Sequence, residues 1–172
     1  IITIVGILSS VGFETKRFNT LISQKISKSN KDVSLKLQKI KFKFDIKNIK
    51  LYLETKEPEF FYQNIEIPIR EVKTYINFLS LINSAPKIDK LDVSLKEIDI
   101  SQLKSLLIKT KPSNLNSFVI NKVKSGKIKM YLELFYNEDF KLENFITRGE
   151  VNNLYANFFK DLKLKETNFN FF

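Results

Sequence analysis

The sequence predicts a mainly β (α+β) fold, namely a curled antiparallel sheet that forms a β-taco-like groove and carries about three short helices. Three observations predict it. Apolar residues alternate with period two along most of the 172 residues, helical spacing occurs in only three short stretches, and no regular βα alternation is present. A chain of this length buries enough surface to fold without metal or disulfide staples.

The composition excludes several classes of protein. The chain has no cysteine and no histidine, which removes thiol nucleophiles, zinc sites and imidazole acid–base chemistry. We therefore expect no enzyme, no cofactor and no metal site. The net charge of +10 comes from 26 lysines and only three arginines. Because readers of base edges and phosphates favour arginine, and because the chain is crowded with Ile, Asn and Phe, this charge indicates an AT-rich genome rather than a nucleic-acid partner.

Both ends of the sequence look interrupted. Residues 1–11 carry no charge, but they are too few to span a bilayer, so we interpret residues 1–12 as the remnant of an N-terminal membrane anchor. The alternative for this segment is a buried strand. The other end stops within a strand-like alternation at Phe172. We expect residues 13–172 to form a β-rich domain from the N-terminal part of a longer protein.

The first half begins with a predicted amphipathic helix, Thr15–Lys28, followed from Asp32 by period-two strands. The parity of the apolar positions flips at Gln38–Lys39 and again at Lys47–Asn48. This pattern predicts either three consecutive antiparallel strands or two long bulged ones. Short strands should follow at Phe60–Tyr62 and Ile65–Ile69, and Pro68 indicates that the second is an edge or a strand end.

The second half alternates between the two periods. Spacing predicts a helix over Glu71–Asn83, strands over 91–95 and 98–100, and a helix capped by Ser101 and closed by Lys111–Pro112. From Phe118 onward the pattern is β. The predicted segments there are strands at 118–123, 127–135, 140–148, 150–158 and 162–172, with turns at Ser125–Gly126 and 137–139.

Three groups of residues resemble sites of known chemistry, and each has a simpler interpretation. Lys124–Lys127 lacks the first glycine and the final Ser or Thr of a phosphate-binding loop, so we interpret it as a hairpin turn. The acidic group lies on a strand without calcium-loop spacing; it comprises Asp89, Asp92, Glu97 and Asp99. The basic stretch from Lys36 to Lys50 is interleaved with Phe42 and Phe44, but alternation places the aromatic and basic side chains on opposite faces, which disfavours nucleic-acid stacking.

The remaining signal is the amount of apolar strand surface. Three helices of about 18 Å cannot cover a sheet of ten or more strands, which is nearer to about 50 Å wide. Such a sheet must close into a sandwich, curl on itself, or accept an apolar ligand. Sandwich packing and a ligand groove both stay open at this point.

The arrangement resembles the N-terminal part of AsmA-like proteins of Gram-negative bacteria, relatives of TamB and of the chorein-type bridge lipid-transfer proteins. The resemblance extends over residues 11–69 and 71–107 and then into the later strands. The matching elements are the helix Phe18–Ile26, Ile40-x-Phe42-x-Phe44, Pro58 with Ile65-x-Ile67-Pro68-Ile69, Leu79-Ser80-Leu81-Ile82, and Gly149-x-Val151-x-x-Leu154. The resemblance implies an inner-membrane anchor, a periplasmic curled sheet with a hydrophobic groove, and movement of phospholipid toward the outer membrane.

We therefore expect a non-enzymatic, inner-membrane-anchored periplasmic protein of outer-membrane biogenesis that binds phospholipid. Its partners would be phospholipid, the inner membrane and other envelope proteins, without nucleic acid. The expected lipid-binding residues are Val33, Leu35, Leu37, Ile40, Phe42, Phe44, Ile46, Ile49, Leu51 and Leu53. The alternative is a structural or scaffolding β-domain of the cell envelope that transfers no lipid.

Overall fold

The structure is a computed structural model that describes residues 6, 9–16, 19–20, 23–24, 32–47, 50–76, 88–137, 141–159 and 162–172. Over these residues the protein is mainly β, as the sequence predicts, with eleven strands in one open antiparallel sheet. The strands are β1 (Phe13–Thr15), β2 (Val33–Lys36), β3 (Ile40–Asp45), β4 (Lys50–Lys56), β5 (Glu59–Tyr62), β6 (Ile65–Ile76), β7 (Ile88–Leu95), β8 (Ile98–Asp99), β9 (Val123–Tyr136), β10 (Leu142–Asn157) and β11 (Lys163–Phe171). Two helices have both ends described, α1 (Ile100–Lys109) and α2 (Asn114–Lys122).

Several of these strands are segments of longer runs. Lys36 pairs with Glu59, and Ile40 pairs with Thr55, so four residues separate the two pairs on each chain segment. The register is therefore unchanged across the gap: β2 and β3 form one run, and β4 and β5 form the run that pairs with it. Of the two alternatives for this region, the structure is nearer to two long strands, which are interrupted at the crease and not bulged as predicted. The first parity flip is a break within a run, and the second belongs to a hairpin turn that includes Ile46 and Lys47.

The interruptions lie side by side and form a line that we call the crease, defined by residues 37–39, 57–58, 70 and 96–97. Register shifts by one residue at Arg70, between the pairs Ile69–Leu95 and Glu71–Ser94. Backbone hydrogen bonds still join neighbouring strands at the crease. The Glu57 amide donates to the Arg70 carbonyl at 2.9 Å, and the Lys96 amide donates to the Pro68 carbonyl at 2.7 Å. Because a bulge bends its strand and increases the local twist, the register shift at Arg70 bends β6 at the crease.

The predicted helix over Glu71–Asn83 is wrong in its first half. Glu71–Ile76 is the end of strand β6, paired with β4 on one side and with β7 on the other. Val72, Tyr75 and Ile76 fit helical spacing, but a strand paired on both sides satisfies every backbone group, which overrides local spacing. Residues 77–83 lie outside the described residues. The helix predicted over Thr15–Lys28 is wrong at Thr15, which ends β1; residues 19, 20, 23 and 24 are helical, and most of the remainder is not described.

Other boundaries also differ from the sequence interpretation. The strand predicted at 118–123 is the end of α2, whose Ser113 cap accepts a hydrogen bond from the Asn116 amide at 3.1 Å. The predicted turn at Ser125–Gly126 lies inside β9, where Gly126 has φ +147°. Strand β10 runs unbroken where two strands were expected. Pro68 lies inside β6, opposite Glu59 of β5 on one side, and on the other side its carbonyl accepts the hydrogen bond of the Lys96 amide, so the prediction that it marks an edge or a strand end is wrong. Its missing amide costs one ladder bond next to the bulge at Arg70, a position where a strand tolerates proline.

The helix predicted after Ser101 is confirmed as α1, although it begins at Ile100 with Asp99 as its N-cap. Helices α1 and α2 connect β8 to β9 and pack on that part of the sheet. Beneath them lies a contiguous group of seven buried residues that we call the corner cluster: Ile98, Ile100, Val123, Ile128, Val151, Leu154 and Ala156. Leu103 of α1 and Val119 of α2 pack against it.

Candidate functional site: the apolar face of the sheet

One face of the sheet carries an unbroken row of cross-strand neighbours. Each of its residues lies directly opposite the next, so all of them share a face. In order across seven strands the row is Phe13, Phe42, Leu53, Thr74, Leu91, Leu134 and Phe145. Six steps of about 4.8 Å make it roughly 29 Å long, close to the thickness of about 30 Å of a bilayer's hydrocarbon core.

Flanking residues widen this row into a continuous apolar surface. We call it the apolar stripe and define it as Phe42, Phe44, Leu51, Leu53, Val72, Leu91, Val93, Leu132 and Leu134. Every residue of the stripe is half-buried, and none belongs to the corner cluster. Next to the stripe, at the end of the row on β10, the side chain of Phe145 is 61% exposed. The stripe therefore presents hydrocarbon surface that the described residues do not bury completely.

The structure describes nine of the ten predicted lipid-binding residues, and these nine do not share one setting. Phe42, Phe44, Leu51 and Leu53 lie in the stripe, with Phe42 opposite Leu53 and Phe44 opposite Leu51. Val33 and Leu35 are half-buried on β2, and Leu37 is half-buried in the crease. Ile40 is buried, at 3% exposure, and so offers no surface to a ligand. Ile46 is 58% exposed in the turn after β3, and Ile49 lies outside the described residues.

Five residues of the stripe are missing from the predicted set, namely Val72, Leu91, Val93, Leu132 and Leu134, and so are Phe13 and Phe145 at the two ends of the row. The signal for them was present, because Leu91, Val93 and Leu95 alternate in the same way as the residues of β3. The predicted helix at 71–83 separated these strands from β3 and β4 in the sequence interpretation. Once Glu71–Ile76 is a strand, β7 and β9 follow β6 in the same sheet.

The opposite face, which we call the polar face, carries paired charges rather than a simple layer of solvated lysines. The Lys43 ammonium lies 2.8 Å from a Glu54 carboxylate oxygen. Lys90 lies 2.9 Å from Asp92 and 2.7 Å from Glu133, and Arg148 reaches the other oxygen of Glu133 at 2.7 Å. The three carboxylate residues are buried, with exposures of 4%, 6% and 8% for Glu54, Asp92 and Glu133.

Proton affinities on the polar face follow from this pairing. Burial opposes ionisation of Glu54, but the hydrogen bond and charge of Lys43 outweigh it, so the pKa of Glu54 lies below its ordinary value. The hydrogen bond to Glu54 in turn raises the pKa of Lys43. Burial together with the Asp92 carboxylate raises the pKa of Tyr75 and of Tyr131. The Lys43–Glu54 pair is therefore ionised at neutral pH.

The other candidate groups from the sequence do not converge on a site. Asp92 pairs with Lys90, whereas Glu97 pairs with Lys127 at 2.9 Å. Across the described ranges, no three potential ligands among Asp, Glu, Cys and His come together to hold a metal ion. The register places Phe42 and Lys43 on opposite faces, as alternation predicts. Among the residues that the structure describes, no helix is both long and apolar enough to cross a membrane.

Comparisons with known proteins do not identify a relative. No protein-family model, curated protein or solved structure matches the chain significantly. The functional argument therefore depends on the geometry of the two faces.

Proposed function

We propose that this protein binds phospholipid acyl chains along the apolar stripe, as part of an inner-membrane-anchored periplasmic protein of outer-membrane biogenesis. The observation that carries the proposal is the row of cross-strand neighbours across seven strands, apolar at every position except Thr74, with half-buried side chains throughout its centre. Exposed apolar surface of this extent on a soluble sheet is typical of a binding surface.

The proposal includes a groove shape, with the stripe on the concave side of a curled sheet. Two features support it. Antiparallel sheets twist by about 20–25° per strand, and at the crease three neighbouring runs are interrupted and β6 has a bulge at Arg70. A wide sheet with both features curls rather than staying flat, and hydrocarbon then fills the trough.

The energetics suit transfer rather than permanent storage. Removing one methylene from water is worth about 0.8 kcal/mol, so an acyl chain on the stripe is strongly favoured over the same chain in water. A bilayer offers the chain a similar apolar environment. Moving an acyl chain from the membrane to the stripe therefore changes the free energy little, and the transfer requires no polar contact inside the stripe. The headgroup stays in water at the rim.

Site-specific photo-crosslinking tests the proposal with internal controls. A photoreactive phenylalanine analogue placed at Leu53 or Leu134 faces the stripe, whereas the same analogue at Tyr52 or Phe135, one residue away, faces the polar side. With a radiolabelled phospholipid, we expect crosslinks at the two stripe positions and not at their neighbours. Circular dichroism of each variant checks that the fold survives.

Two results would contradict the proposal. Equal crosslinking at both members of a pair would mean nonspecific adhesion of lipid. Absence of crosslinks at folded stripe variants, together with purified protein that carries no extractable lipid, would favour the scaffolding alternative. The proposed periplasmic location is tested separately by fractionation of cells that express the full gene.

A further inference from the structure

The net positive charge is distributed unevenly along the chain. Residues 100–132 contain seven lysines and no aspartate or glutamate, so this segment carries seven of the ten net positive charges. Residues 158–165, in the turn after β10 and the start of β11, add three lysines and one aspartate. A genomic preference for lysine would raise the lysine content throughout the chain, but it would not remove carboxylates from one segment. The concentration of charge therefore indicates a surface with a role of its own.

The same segment exposes large apolar side chains on helices α1 and α2. Ile108, near the end of α1, is 68% exposed, and Leu115, in the first turn of α2, is 69% exposed. None of the residues of α2 is buried. Leu115, Phe118 and Lys122 are separated by three and four positions, so they share one face of α2. Helix α2 thus presents apolar and cationic side chains together to solvent.

Contacts between the helices and the turn after β10 join these exposed residues into one surface. The Asn116 side-chain amide donates to the Thr110 hydroxyl at 2.8 Å, which holds the end of α1 beside the start of α2. The Phe118 ring lies against the Phe158 ring, with centroids 5.2 Å apart. Phe159, the next residue, is 75% exposed. We call this surface the helical patch and define it by six exposed residues: Ile108, Lys109, Lys111, Leu115, Lys122 and Phe159.

The three lysines of the patch keep their charge available to a partner. Lys109, Lys111 and Lys122 are exposed and form no ion pair within the described part of the chain. Lys104 of α1 differs, since its ammonium donates to the Val123 carbonyl at 2.6 Å and so ties α1 to β9. The patch therefore combines unpaired ammonium groups with exposed hydrocarbon.

We propose that the helical patch docks on an anionic lipid surface. Exposed isoleucine, leucine and phenylalanine side chains enter the boundary between headgroups and acyl chains, while lysines of the same surface interact with lipid phosphates. Lysine suits this position because its stem is apolar and its ammonium stays in water. A nucleic acid would use the same charges, but Ile108 and Leu115 offer no ring on which bases could stack. A lipid surface uses both the hydrocarbon and the charge.

Cosedimentation of the full chain with vesicles tests the proposal at low salt. We expect vesicles of equal parts phosphatidylglycerol and phosphatidylcholine to bind more tightly than phosphatidylcholine alone. A variant that lacks the three patch lysines should bind the mixed vesicles about a hundredfold more weakly, since each lysine near an anionic leaflet contributes roughly fivefold. This variant carries Lys109→Gln, Lys111→Gln and Lys122→Gln. Its matched control removes three exposed lysines elsewhere, with Lys36→Gln, Lys47→Gln and Lys56→Gln. Equal weakening by the two triple variants, or no preference for mixed vesicles, would overturn the proposal.

A single substitution tests the apolar contribution. We expect Leu115→Asn to weaken association with the mixed vesicles about tenfold, because a leucine side chain no longer enters the apolar boundary. Leu142→Asn is the matched control, since Leu142 is 54% exposed and begins β10, whereas Phe159 follows the end of that strand. Circular dichroism checks the fold of both variants. If Leu115→Asn binds as tightly as the native chain, the lysines act by electrostatic adsorption alone and the proposal is wrong.

Two further measurements separate this proposal from nucleic-acid binding and from acyl-chain binding. Tight binding of a single-stranded oligonucleotide that depends on the patch lysines, without vesicle binding, would assign the patch to nucleic acid and overturn the proposal. The proposal does not rest on acyl-chain binding, since the patch contains no residue of the stripe. We expect Leu91→Ala in the stripe to associate with vesicles like the native chain, and the triple patch variant to keep its lipid crosslink at Leu53. Loss of vesicle association in Leu91→Ala would assign that association to the stripe and contradict the proposal.

Discussion

The corner cluster and the apolar stripe occupy one sheet but are stabilised in different ways. In the corner, seven apolar residues are buried together beneath α1 and α2. In the stripe region the apolar side chains are only half-buried, and the described residues buried behind them include the carboxylates Glu54, Asp92 and Glu133. Four buried apolar residues lie outside the corner cluster: Ile40, Ile69, Ile76 and Leu95.

Under the proposed function the stripe stays open for a ligand, so the strands that carry it bury little hydrocarbon of their own beyond Ile40, Ile69, Ile76 and Leu95 among the described residues. We expect the ion pairs of the polar face to supply the remaining cohesion. The corner should therefore respond to loss of volume, and the stripe region should respond to loss of charge and to pH.

The largest effect is expected for Ile98→Ala in the corner. Ile98 is 3% exposed, and truncation of a fully buried isoleucine leaves a cavity that neighbours fill only in part. We expect a loss of about 3 kcal/mol in the free energy of unfolding, measured by urea denaturation. Lipid crosslinking at Leu53 should persist in the folded fraction. A loss below about 1 kcal/mol would show that the corner is not the main apolar core.

The second effect concerns Glu54→Gln behind the stripe. Removing the carboxylate leaves the Lys43 ammonium without its 2.8 Å partner, and we expect a loss of about 2 kcal/mol at neutral pH. The pKa of Glu54 is lowered from 4.5, so its contribution is present above pH 4.5 and disappears as the pH falls through the lower folded-state value.

Urea unfolding at neutral and acidic pH checks this prediction. The stability difference between the native chain and Glu54→Gln should shrink on acidification, because protonation of Glu54 removes the same charge. Glu59→Gln is the control, since Glu59 forms an exposed pair with Lys36. A difference that stays constant with pH would mean that the packing of the Glu54 side chain, and not its charge, holds these strands together.

The sequence predicts the fold class because period-two alternation directly reflects the two faces of a strand. The parity flip at Gln38–Lys39 also marks a real feature, since the crease begins there. The helix predicted at Glu71 failed for a physical reason. Val72 and Ile76 fit both periods, Tyr75 fits only the helical one, and only pairing with β4 and β7, which is a tertiary effect, makes the segment a strand.

The candidate site was predictable only in part for the same reason. Phe42, Phe44, Leu51 and Leu53 form one hairpin, so local alternation was enough to place them together. Leu91 and Leu134 join them through two further strand pairs that no local pattern specifies. Burial of Glu54 was also unpredictable, because the pattern assigns polar residues to a face but does not show which long side chains cover them.

A smaller effect on stability is expected for Leu91→Ala in the centre of the stripe. Leu91 is half-buried, so truncation removes less buried surface than at Ile98 and should cost about 1 kcal/mol. The functional effect should be larger than the structural one, with crosslinking of phospholipid at Leu134 reduced several-fold. Unfolding and crosslinking measured on the same preparation check both. If Leu91→Ala destabilises as much as Ile98→Ala, the stripe is a closed core.

The smallest effect is expected for Lys36→Ala, which breaks the ion pair with Glu59 at 3.2 Å. Both side chains are exposed, at 73% and 48%, so solvent screens the attraction, and we expect a loss below about 0.5 kcal/mol. The matched variant is Lys43→Ala on the same run of strand, which leaves Glu54 buried without its cation and should cost several times more. Urea unfolding of both variants isolates the effect of burial, because the same residue type is removed from the same run of strands. Equal losses would show that ion pairs contribute regardless of burial, and the distinction between a hydrocarbon-stabilised corner and a charge-stabilised stripe region would then fail.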